Sequence, residues 1–279
     1  MTSGYAITLC AMTLRRASFT DRLRAAAEAG FDAIGLTLDQ YQAARDGRDD
    51  ASLRRLLAVH GLHVAEVEAP WDWAADGPDR GDEGRLLFHV LETFGCDQLN
   101  VVQFAAHPHE RLVGRLAGLC ERAAAHDVRI ALEYMPFSEI RTLPHAWRLV
   151  RESQAPNAGL LLDSWHHRRS GGSPADLAEV PPERVFSVQL NDTRPTAHDD
   201  LRYEARHLRL PPGAGAAAFA RELRGLGVTA RMSAEVWSDE LELLPPAQAA
   251  RLVHDATAGA LAAAGWPLLH QDDHHKESA

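Results

Sequence analysis

Four short apolar runs in the second half of the chain each end in an oxygen-bearing side chain, and this recurrence constrains the fold more than any other sequence feature. The four terminal side chains are Glu133, Asp163, Gln189 and Glu235. Apolar runs of roughly four to eight residues bounded by turn signals are typical of buried strands, and helical patterns between them predict a parallel sheet. Because parallel strands present their carboxyl ends at one edge, we expect these side chains to lie together.

The alternation of side chains along these runs predicts a closed barrel. The residues two positions before the polar groups share a face with them, and these are Ala131, Leu161, Ser187 and Ser233. The opposite face is mostly larger and apolar and includes Leu160, Phe186 and Met232. A confined interior and an exterior that packs on helices are typical of an α/β barrel. We therefore expect the four polar side chains to point into the barrel mouth.

The same patterns along the whole chain predict eight strand–helix units, which form a single (β/α)8 TIM barrel of the α/β class. The catalytic domain is expected over residues 1–267, with a polar C-terminal tail over 268–279. The first helix is predicted over Phe19 to Gly30, with Gly30 as its stop, and Ser52 is predicted to cap the next helix. Residues 193–210 are expected to form a long polar loop.

Composition favours a small-molecule enzyme. The formal charge of -10 argues against a nucleic-acid or acidic-membrane surface, because both attract clustered Lys and Arg. Three cysteines are too few and too scattered for a disulfide framework or a Cys-based zinc site, and each is most simply a small buried hydrophobe. The sequence shows neither an export signal nor a run of apolar residues long enough to span a membrane, so we expect a cytoplasmic protein.

Three carboxylates that converge in the barrel mouth predict a metal site. Like charges in a small volume raise one another's pKa unless a cation lies between them. Three carboxylates and one amide oxygen suit Mg²⁺ or Mn²⁺ better than structural zinc. The alternative is that they are ordinary interior polar groups paired with Arg or Lys. No Lys or Arg lies within the last turn of these four strands, which favours the metal.

The spacing of five segments resembles the xylose-isomerase-like TIM-barrel superfamily, in the branch labelled sugar phosphate isomerase/epimerase. The segments are Glu133, Asp163-Ser-Trp-His166, Gln189-Leu-Asn-Asp192, Arg209-Leu-Pro-Pro-Gly-Ala-Gly215 and Ser233-Ala-Glu235-Val-Trp. The resemblance implies that Glu133, Asp163, Gln189 and Glu235 hold one divalent metal. It also implies small polyhydroxylated ketones or aldehydes as substrates and a possible homodimer.

One ligand position departs from the commonest pattern of this superfamily. The third ligand is often His, as in tagatose/psicose 3-epimerases and hydroxypyruvate isomerases, but this chain has Gln189. Gln at that position resembles the metal-dependent 3-dehydroshikimate dehydratases. Those enzymes also have an Asp-x-x-His segment like Asp163 to His166 and an Arg before Pro-Gly-x-Gly like Arg209. Inosose dehydratases and C-glycoside deglycosidase subunits are related branches, so the resemblance predicts the metal site better than the reaction.

The predicted function is a sugar isomerase or epimerase that removes a proton next to a metal-polarised carbonyl and forms an enediolate. The alternative is a lyase of the dehydroshikimate-dehydratase kind. Glu133 and Glu235 are the predicted base and acid. His166 is predicted to be a second proton-transfer group or substrate contact, and the alternative is a solvent-exposed loop histidine. Two further hypotheses are an apurinic-site endonuclease, which lacks support from charge and ligand type, and a non-catalytic partner subunit.

Four residues are predicted to contact the substrate. Arg209, and less so Arg206, would meet a substrate carboxylate or phosphate, and a surface salt bridge is the alternative for either one. Gln103 and Glu68, at the ends of two earlier strands, are expected to face the mouth and bind substrate hydroxyls.

Overall fold

Short apolar segments separated by amphipathic helices fold here into eight parallel strands. The computed structural model describes residues 6–69, 72–75 and 80–267. The strands are β1 Ile7–Leu9, β2 Ala33–Thr37, β3 His63–Ala69, β4 Gln98–Val101, β5 Arg129–Glu133, β6 Ala158–Asp163, β7 Val185–Leu190 and β8 Arg231–Ala234. Each strand pairs in parallel with the next, and β8 pairs with β1, so the sheet is a closed barrel. The predicted (β/α)8 fold is confirmed.

Helices follow the strands and cover the outside of the barrel. They are α1 Phe19–Ala29, α2 Leu38–Ala44, α3 Asp50–Val59, α4 Arg80–Phe94, α5 His109–Ala124, α6 Leu143–Ser153, α7 Ser164–Arg169, α8 Pro174–Ala178, α9 Leu201–His207, α10 Ala214–Gly225 and α11 Pro246–Ala263. Helix α1 packs against α11, which joins the two ends of the described chain. Within the described ranges, none of these helices combines the length and the apolar character that a bilayer span requires.

Local signals explain most helix ends, and one predicted cap is wrong. Gly30 ends α1 with φ 97°, the left-handed conformation that glycine adopts without a steric penalty. Helix α3 begins at Asp50 and is capped by Asp49, whose carboxylate accepts the backbone N–H of Ser52. Ser52 therefore does not cap this helix as the sequence predicts. The helix begins earlier than predicted, because the aspartate three residues upstream accepts the N–H of Ser52 itself.

The segment predicted as a long polar loop over residues 193–210 contains helix α9. Asp200 caps this helix by accepting the backbone N–H groups of Arg202 and Tyr203. The helix is short and mostly polar, so its hydrophobic pattern is weak, and the correction matters because α9 leads directly into the barrel mouth. The predicted tail over 268–279 lies outside the described residues.

The barrel interior is filled in layers. At its amino-terminal end Phe186 packs with Ala131 and Leu161, although the alternation predicts Phe186 on the outer face. The pairing of β6 with β7 shifts register between Leu160 and Leu161, and this irregularity turns Phe186 inward. Gly159 makes room for the ring, because a Cβ there would lie 2.5 Å from it.

The next layer toward the mouth is polar and centres on Glu66 of β3. Its carboxylate accepts hydrogen bonds from Asn100 Nδ2 at 3.1 Å, Ser233 Oγ at 2.8 Å and Ser187 Oγ at 3.3 Å. These partners come from β4, β8 and β7, so one buried carboxylate joins strands on opposite sides of the barrel. The candidate site lies directly above this layer.

Candidate metal centre

The carboxyl ends of β5, β6 and β7 place Glu133, Asp163 and Gln189 at the mouth, and Glu235 follows the last residue of β8. Asp163 is paired in register with Gln189, so the strand order predicted from the runs holds at this point. All four residues are at most 7% exposed. Burial of this much charge at one end of a barrel requires compensation by opposite charge.

Glu133, Asp163 and His166 form a tight cluster. One ligand atom from each residue lies within 4.8 Å of the others, which is close enough to share a metal ion. Asp163 also caps helix α7, and its Oδ1 accepts the backbone N–H of His166 at 2.7 Å. Since α7 begins directly after the strand, His166 is turned inward and is 1% exposed. The alternative of a solvent-exposed loop histidine is excluded.

Arg209 enters the same cluster from the loop after α9. Its Nη1 lies 2.7 Å from Asp163 Oδ2 and 2.7 Å from Glu235 Oε2. No Lys or Arg lies in the last turn of the four strands, but this guanidinium arrives from a distant part of the sequence. The alternative, in which the polar groups at the strand ends are paired with Arg, therefore holds for Asp163 and Glu235, two of the four predicted metal ligands. A surface salt bridge is excluded for Arg209, which is 2% exposed.

The backbone on both sides of Arg209 is held in place. Leu210 forms an isolated antiparallel bridge with Asp192, and Leu208 forms another with Ser238. Asp192 Oδ2 also accepts the backbone N–H of Gly215 at 2.9 Å, in the first turn of α10. These bonds hold the segment from Arg209 to Gly215 in place, and the guanidinium is thereby fixed above the ends of β6 and β8.

The contact between Arg209 and His166 defines the protonation state of the imidazole. Arg209 Nη2 lies 3.0 Å from His166 Nε2, and because a guanidinium only donates, this nitrogen accepts. His166 is then neutral with its proton on Nδ1. Burial is the main cause that lowers the pKa of His166 to about 3, and the positive charge of Arg209 adds to it.

The three carboxylates differ in their proton affinity. Burial, followed by the charges of Glu235 and Asp163, raises the pKa of Glu133 well above its ordinary value. Burial also raises the pKa of Glu235, although Arg209 opposes this shift. Burial alone would raise the pKa of Asp163, but the charge of Arg209, the neighbouring His166 and the hydrogen bonds to the carboxylate together lower that pKa. Glu133 and Glu235 therefore hold a proton more readily than ordinary carboxylates, as expected where one guanidinium faces three acidic groups.

The residues present fit a divalent cation. The buried oxygens Glu133 Oε1 and Gln189 Oε1 have no hydrogen-bond partner in the described structure. Buried polar atoms without partners are costly, and a bound ion satisfies them. Three carboxylates and one guanidinium leave a formal charge of about -2 when all are ionised, which is the charge that a divalent ion balances.

The opposite half of the mouth carries a second acidic group. Glu68 of β3 lies in the cavity wall and accepts a hydrogen bond from Cys10 Sγ at 3.0 Å. Burial and the charge of Glu66 raise the pKa of Glu68 to about 7. Burial and the charge of Glu68 also raise the pKa of the Cys10 thiol well above its ordinary value, so the thiol stays protonated. Cys10, Glu66 and Glu68 form another cluster of closely spaced ligand atoms.

A cavity of about 150 Å³ opens above these groups. Its polar lining includes Thr37, Glu68, Asn100, Glu133, His166, Arg206, Arg209 and Glu235. Apolar side chains complete the wall, namely Met12, Ala69, Val102, Phe104, Met135, Phe137, Ala205 and Trp237. A small organic molecule would thus meet charged groups at the floor and apolar groups at the sides, as is common in ligand sites.

Arg206 and Gln103 lie in different surroundings from those expected. The Arg206 guanidinium stacks 5.7 Å from the centre of the Trp237 ring and makes no ion pair with the described residues. Gln103 is not among the residues that line the cavity. Its amide donates to Asp72 Oδ1 at 2.7 Å and to the Ala105 carbonyl at 2.8 Å, and Asn100 of β4 lines the wall instead. Because Gln103 follows β4 rather than lying in it, strand alternation did not locate its side chain.

The fold and the site together define an α/β-barrel protein with a buried acidic centre at the carboxyl ends of its strands, which is where barrel enzymes carry their active sites. The chain belongs to the Xylose isomerase-like TIM barrel family, whose model matches residues 23–258.

Curated relatives in this family include enzymes of two kinds. The chain is 31% identical over 239 residues to a 3-dehydroshikimate dehydratase of Pseudomonas aeruginosa, a match that covers 81% of this chain and 37% of the relative. It is 28% identical over 147 residues to an inosose isomerase of Bacillus licheniformis, which covers 51% of this chain and 52% of the relative. The chain thus spans little more than a third of the first relative and about half of the second.

A solved structure shares the fold. It is the IOLI protein with a binding zinc atom, and it superimposes with a TM-score of 0.82 at 19% identity, covering 92% of this chain and 98% of that chain. At this level of identity the likeness establishes the fold alone.

Proposed function

We propose that the chain is a divalent-metal-dependent lyase that dehydrates a polyhydroxylated cyclic keto acid of the 3-dehydroshikimate type. One observation favours a lyase over the isomerase that the sequence predicts. Arg206 presents a guanidinium without an ion-pair partner among the described residues, in the wall of the cavity that also holds the carboxylates. The relative with the larger aligned share of this chain is a 3-dehydroshikimate dehydratase, which supports the same choice.

The sequence predicts both Arg206 and Arg209 to meet a substrate carboxylate or phosphate, but in this proposal only Arg206 does so. Arg209 is committed to Asp163, Glu235 and His166. Arg206 is half-buried, and burial and the charge of Arg202 lower its pKa. A substrate carboxylate would supply the missing countercharge in bidentate geometry. A neutral sugar would leave this desolvated cation without a partner.

Glu133, Asp163, Gln189 and Glu235 are the proposed ligands of one Mn²⁺ or Mg²⁺ ion. Zinc, which the IOLI protein binds, is the third candidate. When bound, the ion polarises the substrate carbonyl and stabilises the negative charge that develops on its oxygen.

Glu133 is the proposed general base. Its Oε1 is unpartnered and its pKa is raised, so it accepts a proton more readily than an exposed carboxylate. The proton leaves the carbon next to the substrate carbonyl, and the electron pair of that C–H bond forms the new C=C bond. The C–O bond of the hydroxyl at the β carbon breaks at the same stage or in the next step.

Glu68 is the proposed acid that protonates the departing hydroxyl, which leaves as water. Its pKa of about 7 keeps a large fraction of the carboxyl protonated near neutral pH, which suits a general acid. The charge of Glu68 also contributes to the raised pKa values of Glu133 and Glu235, so the three groups lie close enough to act on one substrate. Neutral His166 completes the cavity floor as a substrate contact.

A second candidate is an isomerase or epimerase that acts on a neutral inosose or keto-sugar. The match to inosose isomerase supports it. In this reaction Glu133 would remove the proton, and Glu235 would return it from the other side of the site. The carbon skeleton keeps its hydroxyl groups, so water is not released.

The test is incubation of the Mn²⁺-loaded protein with 3-dehydroshikimate, in parallel with an inosose. Formation of protocatechuate, followed by its ultraviolet absorbance, is expected with the first. No protocatechuate, together with exchange of solvent deuterium into the inosose by NMR, would replace the lyase with the isomerase.

The variant Arg206→Gln tests the proposed contact between Arg206 and the substrate carboxylate. Loss of the carboxylate contact is expected to raise KM for 3-dehydroshikimate about 10- to 100-fold with a smaller change in kcat, because about 1.5–3 kcal/mol is typical of a charged hydrogen bond. Arg54→Gln on α3, which is exposed, is the matched control and should leave KM unchanged. Equal KM values in all three proteins would remove Arg206 from the substrate site.

A further inference from the structure

Cys10 connects the two halves of the barrel mouth. Its thiol donates to Glu68 Oε1 at 3.0 Å and accepts from Gln189 Nε2 at 3.7 Å, a long contact that is within the range for sulfur. The backbone N–H of Met12 also donates to this sulfur at 3.4 Å. Cys10 is fully buried, so its neighbours are fixed by the fold rather than by solvent.

The Gln189 amide has two ends of nearly equal size but opposite chemistry. A carbonyl oxygen binds a metal, whereas an NH₂ group only donates hydrogen bonds. Gln189 is 1% exposed, its Nε2 faces Cys10, and its Oε1 has no partner among the described residues. The orientation of the amide therefore decides whether β7 offers a ligand or a pair of N–H donors to the site.

We propose that Cys10 is a positioning residue that holds Gln189 with its oxygen toward the metal site. Because the thiol proton is used toward Glu68, the sulfur presents lone pairs rather than a proton to Gln189. The flipped amide would place its oxygen against those lone pairs and its NH₂ group toward the carboxylates. The inference rests on the proposed metal site and deepens it by explaining how this chain uses an amide as a ligand.

The backbone around Cys10 is built to keep the thiol in place. The buried guanidinium of Arg22 donates to the carbonyl of Cys10 at 2.7 Å, to that of Leu9 at 3.1 Å and to that of Gly35 at 3.0 Å. The Cys10 N–H donates to the Ala234 carbonyl at 3.2 Å. These bonds attach the end of β1 to its neighbours on both sides.

The experiment is a double-mutant cycle read out by Mn²⁺ affinity, measured by calorimetric titration of the metal alone. Cys10→Ala is expected to weaken Mn²⁺ binding about 10-fold, which is typical of the loss of a group that orients a ligand. Cys10→Ser keeps a donor and an acceptor and should recover most of the affinity. Cys120→Ala removes an equally buried thiol on α5 and should leave the affinity unchanged.

The cycle is closed with Gln189→Glu, in which both ends of the side chain are oxygens. In that background Cys10→Ala is expected to change Mn²⁺ affinity less than about 3-fold, since orientation no longer matters. A 10-fold loss in both backgrounds would mean a general structural role and would overturn the proposal. Cys10→Val, which fills the space of the thiol, replaces the alanine variant if that variant does not fold.

Different results would contradict the proposed metal centre and the proposed role of Cys10. Wild-type protein that does not bind Mn²⁺, Mg²⁺ or Zn²⁺ would remove the metal centre itself. Wild-type protein that binds Mn²⁺ with an affinity equal to that of Cys10→Ala would remove only the role of Cys10.

Discussion

The two halves of the barrel mouth contribute different chemistry. The β5–β8 half places three carboxylates and an amide together, and a guanidinium from a loop neutralises part of their charge. The β1–β4 half contributes a thiol, a single carboxylate in the cavity wall and an amide, in Cys10, Glu68 and Asn100. Charge is thus concentrated in the half where a cation would bind, whereas the proposed roles of the other half are to orient groups and to exchange protons.

The largest expected difference between the halves is in catalysis. Glu133→Gln should lower kcat about 10³-fold or more, because it removes the base and replaces a charged metal ligand with a neutral amide. Glu68→Gln should lower kcat about 10²-fold, the loss typical of a general acid, and leave Mn²⁺ affinity nearly unchanged. Steady-state kinetics with 3-dehydroshikimate and calorimetry with Mn²⁺ check both. If Glu68→Gln also weakened Mn²⁺ binding strongly, Glu68 would belong to the metal site and the proposed difference between the halves would be wrong.

Arg209 and Arg206 are three residues apart, and their effects on stability should differ strongly. Arg209→Gln leaves Asp163 and Glu235 buried without their countercharge, which is expected to lower the free energy of unfolding by about 3–5 kcal/mol in metal-free protein. Arg206→Gln loses a contact with Trp237 worth about 1 kcal/mol or less.

Urea unfolding in the presence of a chelator measures both arginine variants. Added Mn²⁺ should recover part of the loss in Arg209→Gln, because the ion replaces the missing positive charge. Equal losses in the two variants would show that Arg209 is not a structural countercharge.

The amino-terminal end of the barrel should respond in stability rather than in activity. Gly159→Ala forces a Cβ to within 2.5 Å of the Phe186 ring, and such overpacking is expected to cost about 1–3 kcal/mol. The double variant with Phe186→Leu should recover part of this loss. Gly114→Ala in α5, where a Cβ meets nothing within 4 Å, is the control and should not destabilise.

The last expected effect is a pH dependence of stability from His166, which is small for each single pH unit. Unfolded His166 takes up a proton near pH 6.5, whereas folded His166 does so only near pH 3. Between these values the unfolded state binds more protons, so stability falls as pH falls, by at most about 1.4 kcal/mol per pH unit. His166→Gln should unfold with a shallower pH dependence than wild type in this window. Parallel curves would show that the imidazole is protonated in the folded protein.

Strand alternation and the order of the four runs were sufficient to predict the barrel and the place of Glu133, Asp163, Gln189 and Glu235 at its mouth. The position of Arg209 was beyond sequence reasoning. It lies 46 residues from Asp163 and 26 from Glu235, and a short polar helix and two isolated bridges bring it there. A register shift in β7 likewise has no signal in hydrophobic alternation, so Phe186 was predicted on the wrong face.

Cys10 was predicted to be a small buried hydrophobe because three scattered cysteines favour neither a disulfide framework nor a Cys-based zinc site. Its contacts with Glu68 and Gln189 join strands 58 and 179 residues apart in sequence, so local pattern carries no information about them. One sequence signal was present: a polarizable side chain directly after a barrel strand, at the position where the other strands carry functional groups.

Phe186, with Ala131 and Leu161 beside it, closes the barrel floor opposite the cavity. Among the described residues, this layer and the polar layer around Glu66 fill the barrel below the cavity, so a reaction that divides one molecule into two would release both products through the mouth. In the proposed dehydration, the aromatic acid and the water would leave by the same route, and fresh substrate could not displace the acid from behind. Such an enzyme should be inhibited by its own product in competition with substrate, and the arginine that recognises one carboxylate would also retain the other.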